Sequence, residues 1–376
     1  MSERLRIIHC LRAPVGGLFR HVLDLSGAQA ERGHDVGYVI DSTVADAQTE
    51  ERLAKIAGHL RLGITRVPMG RLPGPRDLKT AWAICDAVRA MHADVLHGHG
   101  AKGGAFARLA ARDLRRAGAH VATFYTPHGG SLHYSPTSPQ GFVYTLIEKL
   151  LARYTDGLIF ESDFIRRVYD RRIGALRVPR RVIPNALQPG DFTPHRPDRD
   201  AADFLFIGEL RQLKGVDVLL QALARIAAVQ PVRAVIVGAG PDAERFKSLA
   251  SKLRLGELAT FPGPMPAQKA FALGRCLVVP SRAESMPYVV LEAAAAQVPL
   301  IATSVGGIPE IVNGSDTPLI APADVDALAD AMRAFLNAPE DAKQRAERLK
   351  ALVAERFTVA RAADEVLAFY ADRLGR

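Results

Sequence analysis

Ser281 to Val312 reads SRAESMPYVVLEAAAAQVPLIATSVGGIPEIV, and the fold is decided by how this run is parsed. CLVVPS just before it and PLIATS within it are short apolar runs of strand type, and the segment between them has the composition of a helix. Ser285 is expected to cap that helix and Pro287 to occupy its first turn, with the body running through VVLEAAAAQ. Glu284 then falls in the loop ahead of the helix and Glu292 in its second turn. At a rise of about 1.5 Å per residue the two carboxylates lie roughly 10 Å apart. After the second strand come Gly306 and Gly307, then Ile308 and Pro309 opening another helix.

Outward from this run the same alternation continues. FLFIG, RAVIVGAG and LATFPG read as further strands, each followed by a helical pattern, which gives a parallel sheet covered by helices. The first half repeats the scheme with RLRIIHC, HDVGYVI, DVLHGH, HVATFYT and GLIFES as strands, and with helices such as 19 to 31 and 103 to 117 between them. Between the halves, LQPGDFTPHRPDRDAA (Leu187 to Ala202) has the prolines and charges of an interdomain linker. The chain of 376 residues therefore divides into an α/β domain over 1 to 190 and a second over 200 to 356, with an amphipathic segment over 357 to 376 able to pack on either. Open parallel sheets bind ligands at the carboxyl ends of their strands, so two such sheets facing across a cleft are expected to hold the ligands there.

Composition limits the function. No apolar run reaches the length of roughly 20 residues that a bilayer demands, and MSERLRIIHCLR lacks a secretory layout, so a soluble cytoplasmic protein is expected. Cys10, Cys85 and Cys276 lack metal-binding spacing and read as buried thiols. The net charge of +9 is asymmetric: residues 1 to 190 carry 27 Lys and Arg against 17 Asp and Glu, and the remainder 22 against 23. A basic first half suits an anionic partner: a phosphorylated substrate, a membrane surface or nucleic acid. For nucleic acid the aromatics are too sparse and do not interleave with the arginines.

The carboxylates themselves point to a polyol. A carboxylate accepts hydrogen bonds from two neighbouring hydroxyls, which suits Glu284 to a hexose and Glu292 to a ribose. A diphosphate lying between them needs positive charge, which Arg211 and Lys214 in GELRQLKG and the helix start at Pro309 can supply. Asp324-Val325-Asp326 has the form of a metal-binding DxD, but after PLIAPA it reads as the capped, acidic start of a helix. HGHGAKGG is not a Walker loop, because the Gly-Lys-Ser/Thr ending is missing. Its His99 and Lys102 stand at a strand end with flexible glycines beyond, as acceptor-site candidates; Lys102 reads either as a ligand of an acceptor phosphate or as a solvated loop lysine.

The sequence resembles retaining glycosyltransferase family 4, whose members have the two-domain GT-B fold. The resemblance spans essentially the whole chain. It rests on GGLFRHVLDLSGAQAERGHDV (Gly16 to Val36), DVLHGHG, YTPHGG, FIGELRQLKGVDVLL, IVGAGP, FPG and ESMPYVVLEAAAAQVPLIATSVGGIPEIV. It implies transfer from a UDP- or GDP-linked sugar to a glycan or lipid-linked acceptor, as in bacterial-type surface polysaccharide synthesis, with no metal or other cofactor. It implies that Glu284 meets the donor sugar and Glu292 the ribose. Arg211 and Lys214, with the amides of Gly306, Gly307 and Ile308, would neutralise the leaving diphosphate. His128 would contact the sugar near the reacting carbon, Gly17 would lie under the diphosphate or admit the acceptor, and Gly263 and Pro264 would pass the base. Asn185-Ala186-Leu187-Gln188 departs from the Asn-Gly-Val-Asp usual at this junction. A nucleotide-sugar epimerase on the same architecture is the alternative, and a basic nucleic-acid-binding protein a further one. The Arg-rich helical stretches Ala105 to Gly118 and Phe164 to Arg181 suggest peripheral association with the inner membrane face.

Overall fold

The computed structural model describes residues 3–43, 47–70, 74, 76–129, 138–174 and 176–376. They form two compact units: residues 1–186 with 359–376, and residues 187–358.

The first unit is built on a seven-stranded parallel sheet. Its strands are β1 (Arg6–Leu11), β2 (Asp35–Asp41), β3 (Gly63–Val67), β4 (Val95–His99), β5 (Ala122–Thr126), β6 (Gly157–Phe160) and β7 (Arg180–Val182), in the order β3-β2-β1-β4-β5-β6-β7. β1, β2, β4, β5 and β6 are the runs expected from sequence. β3 and β7 are edge strands of intermediate burial, and GITRV and RRV lack the continuous apolar character of a buried strand. The strand order reverses between β1 and β4, where open α/β sheets form a ligand crevice. The helix Val359–Leu374 belongs to this unit: Val366, Phe369 and Tyr370 are buried with Ile7, Val95, Phe124 and Ile159.

The second unit carries six parallel strands: β8 (Ala202–Ile207), β9 (Ala234–Val237), β10 (Ala259–Gly263), β11 (Gly274–Val279), β12 (Leu300–Thr303) and β13 (Leu319–Ile320). Their order is β10-β9-β8-β11-β12-β13, so the reversal falls between β8 and β11. The core on one face gathers Phe204, Leu219, Leu223 and Phe246; that on the other gathers Leu205, Leu277, Val290 and Leu291.

The proline-rich stretch expected as a linker packs against this second unit. Leu187 is fully buried in its core, the His195 amide donates to the Ala296 carbonyl at 2.8 Å, and the Asp198 amide to Ala272 at 2.9 Å. A strap whose backbone donors are satisfied by one unit is part of that unit.

The glycines of HGHGAKGG also act differently from a flexible loop. Gly100 already opens the helix Gly100–Arg116. A Cβ on Gly104 would stand 2.2 Å from the Tyr125 ring, and one on Gly103 would stand 2.3 Å from the Cys10 carbonyl. These residues let the helix lie directly on β1 and β5. Lys102 is therefore a helix residue, and its ammonium is paired with Asp77.

Several arginines of the Arg-rich stretches are paired within the unit. Arg108 is fully buried against Glu148, Arg115 pairs with Asp156, Arg166 with Asp163 and Asp170, and Arg180 with Asp170. These pairs take up part of the charge of the two stretches, while Arg116, Arg171, Arg177 and Arg181 stay exposed. A different helix, Pro139–Leu151, exposes Phe142, Val143, Leu146 and Leu150.

Candidate functional site

In the second unit three loops follow neighbouring strands: residues 208–215 after β8, 280–287 after β11 and 304–307 after β12. The first two flank the point where the strand order reverses. Lys214, from the loop after β8, places its ammonium 2.7 and 2.9 Å from the two carboxylate oxygens of Glu284, from the loop after β11. Ser281 donates its hydroxyl to the same carboxylate at 2.7 Å. The Glu284 side chain is only 8% exposed and that of Lys214 is 26% exposed, so the pair is partly withdrawn from water and charge-assisted.

Two left-handed glycines hold this arrangement. Gly215, at φ 72°, lies so close to Pro280 that a Cβ would be 1.9 Å from its carbonyl oxygen. Gly306, at φ 61°, lies as closely against the Glu284 carbonyl, at 2.1 Å. Only glycine adopts this conformation without strain and leaves room for the neighbouring backbone. Arg282 adds a staple, reaching Asp217 with two bonds of 2.8 and 2.7 Å and the Gln212 carbonyl with a third of 2.7 Å. Ser281, Gly215 and Arg282 were not singled out in the sequence. The glycine closing GELRQLKG was the available signal.

Several expectations change here. The helix after β11 is Tyr288–Ala295 with Pro287 as its N-cap, not Ser285. The Ser285 carbonyl instead accepts from the Gly307 amide at 2.7 Å. That bond takes Gly307 out of the set expected to face a diphosphate, and Ile308 goes too, its amide donating to Val305 at 3.2 Å. Of the three amides, Gly306 alone is not used in this way. Pro309 does lie in the first turn of the short helix Ile308–Val312. Glu292 sits half-buried on Tyr288–Ala295. Arg211 is half-exposed and lies 3.5 Å from Glu209, apart from the Lys214 pair. Gly263 ends β10 and accepts from the Gly238 amide after β9 at 3.1 Å, with Pro264 exposed beside it. Asp324 caps the helix Val325–Asn337 by accepting from the Ala327 amide at 2.9 Å, and Asp326 pairs with Arg225, as a helix start requires.

The first unit has its own crevice where β1 and β4 part. Gly17 lies exposed in the first turn of the helix Gly16–Glu31, which has no side-chain cap and no acid in its first turn. A cavity of about 390 Å³ opens beside it, lined by Arg12, Leu18, Phe106, Leu109, Ile147 and Leu151. His99 and Lys102 also border it, but the ammonium of Lys102 is held by Asp77 and both nitrogens of His99 are bonded within a histidine cluster.

In that cluster His9 Nδ1 meets His99 Nε2 at 2.9 Å, and His99 Nδ1 meets His128 Nε2 at 3.1 Å. His9 Nε2 reaches Gln29 at 2.8 Å. His97 bonds Thr126 at 2.8 Å and Tyr370 at 2.6 Å. Burial pushes the His9 and His21 imidazoles down to about 4, and holds those of His97, His99 and His128 well below the ordinary value. All five are neutral at pH 7. His128 follows β5 with a φ of 51°, a conformation costly for a residue with a side chain and characteristic of functional positions.

Comparison with known proteins agrees with this geometry. Residues 15–190 match the family model Glycosyltransferase Family 4, and residues 201–338 match Glycosyl transferases group 1. A D-inositol 3-phosphate glycosyltransferase of Stackebrandtia nassauensis is 31% identical over 310 residues, 75% of this chain and 69% of that protein. A glycogen synthase of Mycobacterium tuberculosis is 29% identical over 384 residues, 94% of this chain and 91% of that one. Among solved structures, Anabaena HepE in complex with UDP-glucose superposes with a TM-score of 0.81 at 18% identity, covering 98% of this chain and 100% of that one. Sucrose-phosphate synthase of Thermosynechococcus elongatus gives 0.79 at 22%, covering 99% and 100%. The two parallel-sheet units are the Rossmann-like domains of a GT-B glycosyltransferase. A transferase rather than an epimerase is what these matches describe, and the chain belongs to glycosyltransferase family 4.

Proposed function

We propose that this enzyme is a retaining transferase that moves a hexose from a UDP-linked donor to a lipid-linked or growing glycan, working against an anionic membrane surface. The observation that carries the donor half is the Lys214–Glu284 pair at the strand-order reversal of the second unit. Glu284 is already fixed by Ser281 and by the backbone at Gly306, so it receives sugar hydroxyls without reorganising. The UDP assignment takes its support from HepE, solved with UDP and with UDP-glucose.

Cleavage of the bond between the anomeric carbon and the phosphate oxygen builds positive charge on carbon and negative charge on the diphosphate. Lys214 swings from Glu284 to the leaving phosphate as that charge develops, with Arg211 and the Gly306 amide alongside. These groups supply the charge that a metal ion would otherwise provide. The acceptor oxygen forms its bond to carbon on the face the phosphate leaves, and the departing phosphate oxygen takes the acceptor's proton. Configuration is retained, UDP is released, and no protein nucleophile is required. Glu292 holds the ribose, Gly263 and Pro264 border the base, and His128 orients the sugar.

The acceptor reading rests on the mostly apolar cavity of the first unit and on the exposed Phe142, Val143, Leu146 and Leu150 of Pro139–Leu151. A monotopic surface needs such an apolar helix face. Thermal shift with UDP, GDP and their sugars tests the donor: at a hundred times the dissociation constant a ligand stabilises by about 2.7 kcal/mol. Stabilisation by GDP alone would refute the base assignment, and none by any nucleotide would refute the donor site. Failure to float with anionic vesicles at low salt would refute the membrane assignment.

A further inference from the structure

Among the described residues, two groups of three histidines bring ring nitrogens within 4.8 Å of one another: His9, His97 and His99, and His21, His99 and His128. The first is closed to a metal ion. Both nitrogens of His9 are bonded, to His99 and Gln29, and both nitrogens of His97, to Thr126 and Tyr370.

The second group is different. His21 is 6% exposed, and its Nε2 is buried without any hydrogen-bond partner. Leaving a buried nitrogen unpartnered is costly, and a ligand there would relieve that cost. His99 presents a lone pair for a reason that can be traced through the core. The Gln29 carbonyl oxygen faces His9 Nε2 at 2.8 Å, while the Gln29 amide nitrogen is buried without a partner. A carbonyl only accepts, so His9 donates from Nε2 and must accept at Nδ1 from His99 Nε2. That leaves His99 Nδ1 unprotonated, facing His128 Nε2 at 3.1 Å. Two imidazole nitrogens on one tetrahedral ion at 2.0–2.1 Å stand about 3.3 Å apart.

We propose that His21, His99 and His128 form a binding site for a divalent transition-metal ion of the zinc class, and that its occupancy inhibits transfer. Borderline ions favour imidazole ligands, and a fourth position stays open to water. On binding, His128 shifts its proton from Nε2 to Nδ1, and the metal replaces the hydrogen bond between His128 and His99. Gln29 with His9, lined up behind His99, is an outer chain of the kind that orients metal-bound imidazoles. His128 is partly exposed and gives the ion its way in. The inhibition, unlike the binding, rests on the reading above that His128 orients the donor sugar.

The test uses tag-free, metal-stripped full-length protein. Titration with cobalt(II) is expected to give the visible absorption of tetrahedral cobalt, saturating at one ion per chain, with zinc displacing it. His21→Phe, which keeps the ring volume, is expected to abolish the spectrum while leaving metal-free turnover and its melting curve near wild type. Gln29→Leu is expected to weaken cobalt binding by about 10- to 100-fold. Zinc is expected to slow wild-type transfer in proportion to occupancy and to leave His21→Phe unaffected. No saturable cobalt spectrum in wild type, or an undiminished one in folded His21→Phe, overturns the site. Should His21→Phe not fold, an unchanged affinity in Gln29→Leu does the same. Stimulation by zinc overturns the inhibitory role. A protein that takes cobalt here yet ignores every nucleotide refutes the donor reading and not this one.

Discussion

Replacing Lys214 by alanine isolates the group on which the proposed donor mechanism depends. Its ammonium lies 2.7 Å from a Glu284 oxygen, with the lysine side chain 26% and the glutamate side chain 8% exposed. Two unit charges about 4 Å apart at an effective dielectric of about 20 interact by roughly 4 kcal/mol, a gross figure that water at the lysine reduces. When the diphosphate leaves, the ammonium exchanges one anion for another of greater charge, and its removal forfeits that stabilisation. Loss of one preorganised donor of this kind costs about 2.7–4 kcal/mol of barrier, roughly a hundred- to a thousandfold in kcat. Arg211, half-exposed and only 3.5 Å from an equally exposed Glu209, is screened, so its alanine variant is expected to lose distinctly less. The assay is release of the nucleoside diphosphate from whichever nucleotide sugar gives the thermal shift, with water as the acceptor. The melting curve separates a second effect: without Lys214 the Glu284 carboxylate keeps only Ser281, and leaving it under-satisfied costs about 1–3 kcal/mol of stability. Lys214→Ala with Glu284→Gln is expected to recover the stability and not the rate. An unchanged kcat in Lys214→Ala refutes the reasoning, and so does a rate loss that Glu284→Gln restores.

Gly306→Ala is expected to fold but to bind its nucleotide-sugar donor at least tenfold more weakly, seen by calorimetry, because its Cβ would stand 2.1 Å from the Glu284 carbonyl oxygen and must push that loop away. Glu148→Ala leaves the fully buried Arg108 guanidinium uncompensated and is expected to cost about 3–5 kcal/mol in denaturant unfolding, far more than loss of any exposed pair. Acid is expected to destabilise the first unit through its histidines. His9 and His21 titrate near 4 when folded and near 6.5 when unfolded, so the unfolded chain binds more protons between these values. Their contribution is complete above pH 6.5 and is lost as pH falls toward 4, by at most about 1.4 kcal/mol per pH unit for each histidine. Urea midpoints at pH 7, 6 and 5 measure it, and an equal midpoint at all three would contradict the burial argument.

Much of the fold was legible because buried parallel strands are written as continuous apolar runs; FLFI and CLVV need no tertiary information to be read. The edge strands β3, β7 and β13 were missed for the converse reason, since an edge exposes one side and GITRV carries an arginine. Within the site, Glu284 and Lys214 were legible as residue types, but not their mutual bond. That bond depends on β8 and β11 being neighbours, although residues 214 and 284 lie far apart in sequence. The amides of Gly307 and Ile308 were misjudged because a local pattern does not reveal that Ser285 and Val305 take them. Lys102 was misjudged because glycines in a row suggest a loop, whereas Gly103 and Gly104 are small so that a helix can touch the sheet.

The histidine cluster shows how far a period of two reaches once a sheet is assembled. In HGH of β4 the alternation puts His97 and His99 on one face, while Gly98 turns to the other, where a Cβ would stand 2.5 Å from Gly104. Parallel pairing sets His9 of β1 in register with His97, which adds a third ring to the same face. The helices Gly16–Glu31 and Val359–Leu374 bring His21, Gln29 and Tyr370 to these rings. So dense a polar group persists inside the unit because every ring is neutral and nearly every nitrogen has a partner. The chain of bonds ends at His128, on strained backbone at the strand end, so its orientation is set from within the core by Gln29 and His9. A substitution at Gln29 should therefore alter how His128 is oriented, a dependence the sequence of neither residue discloses.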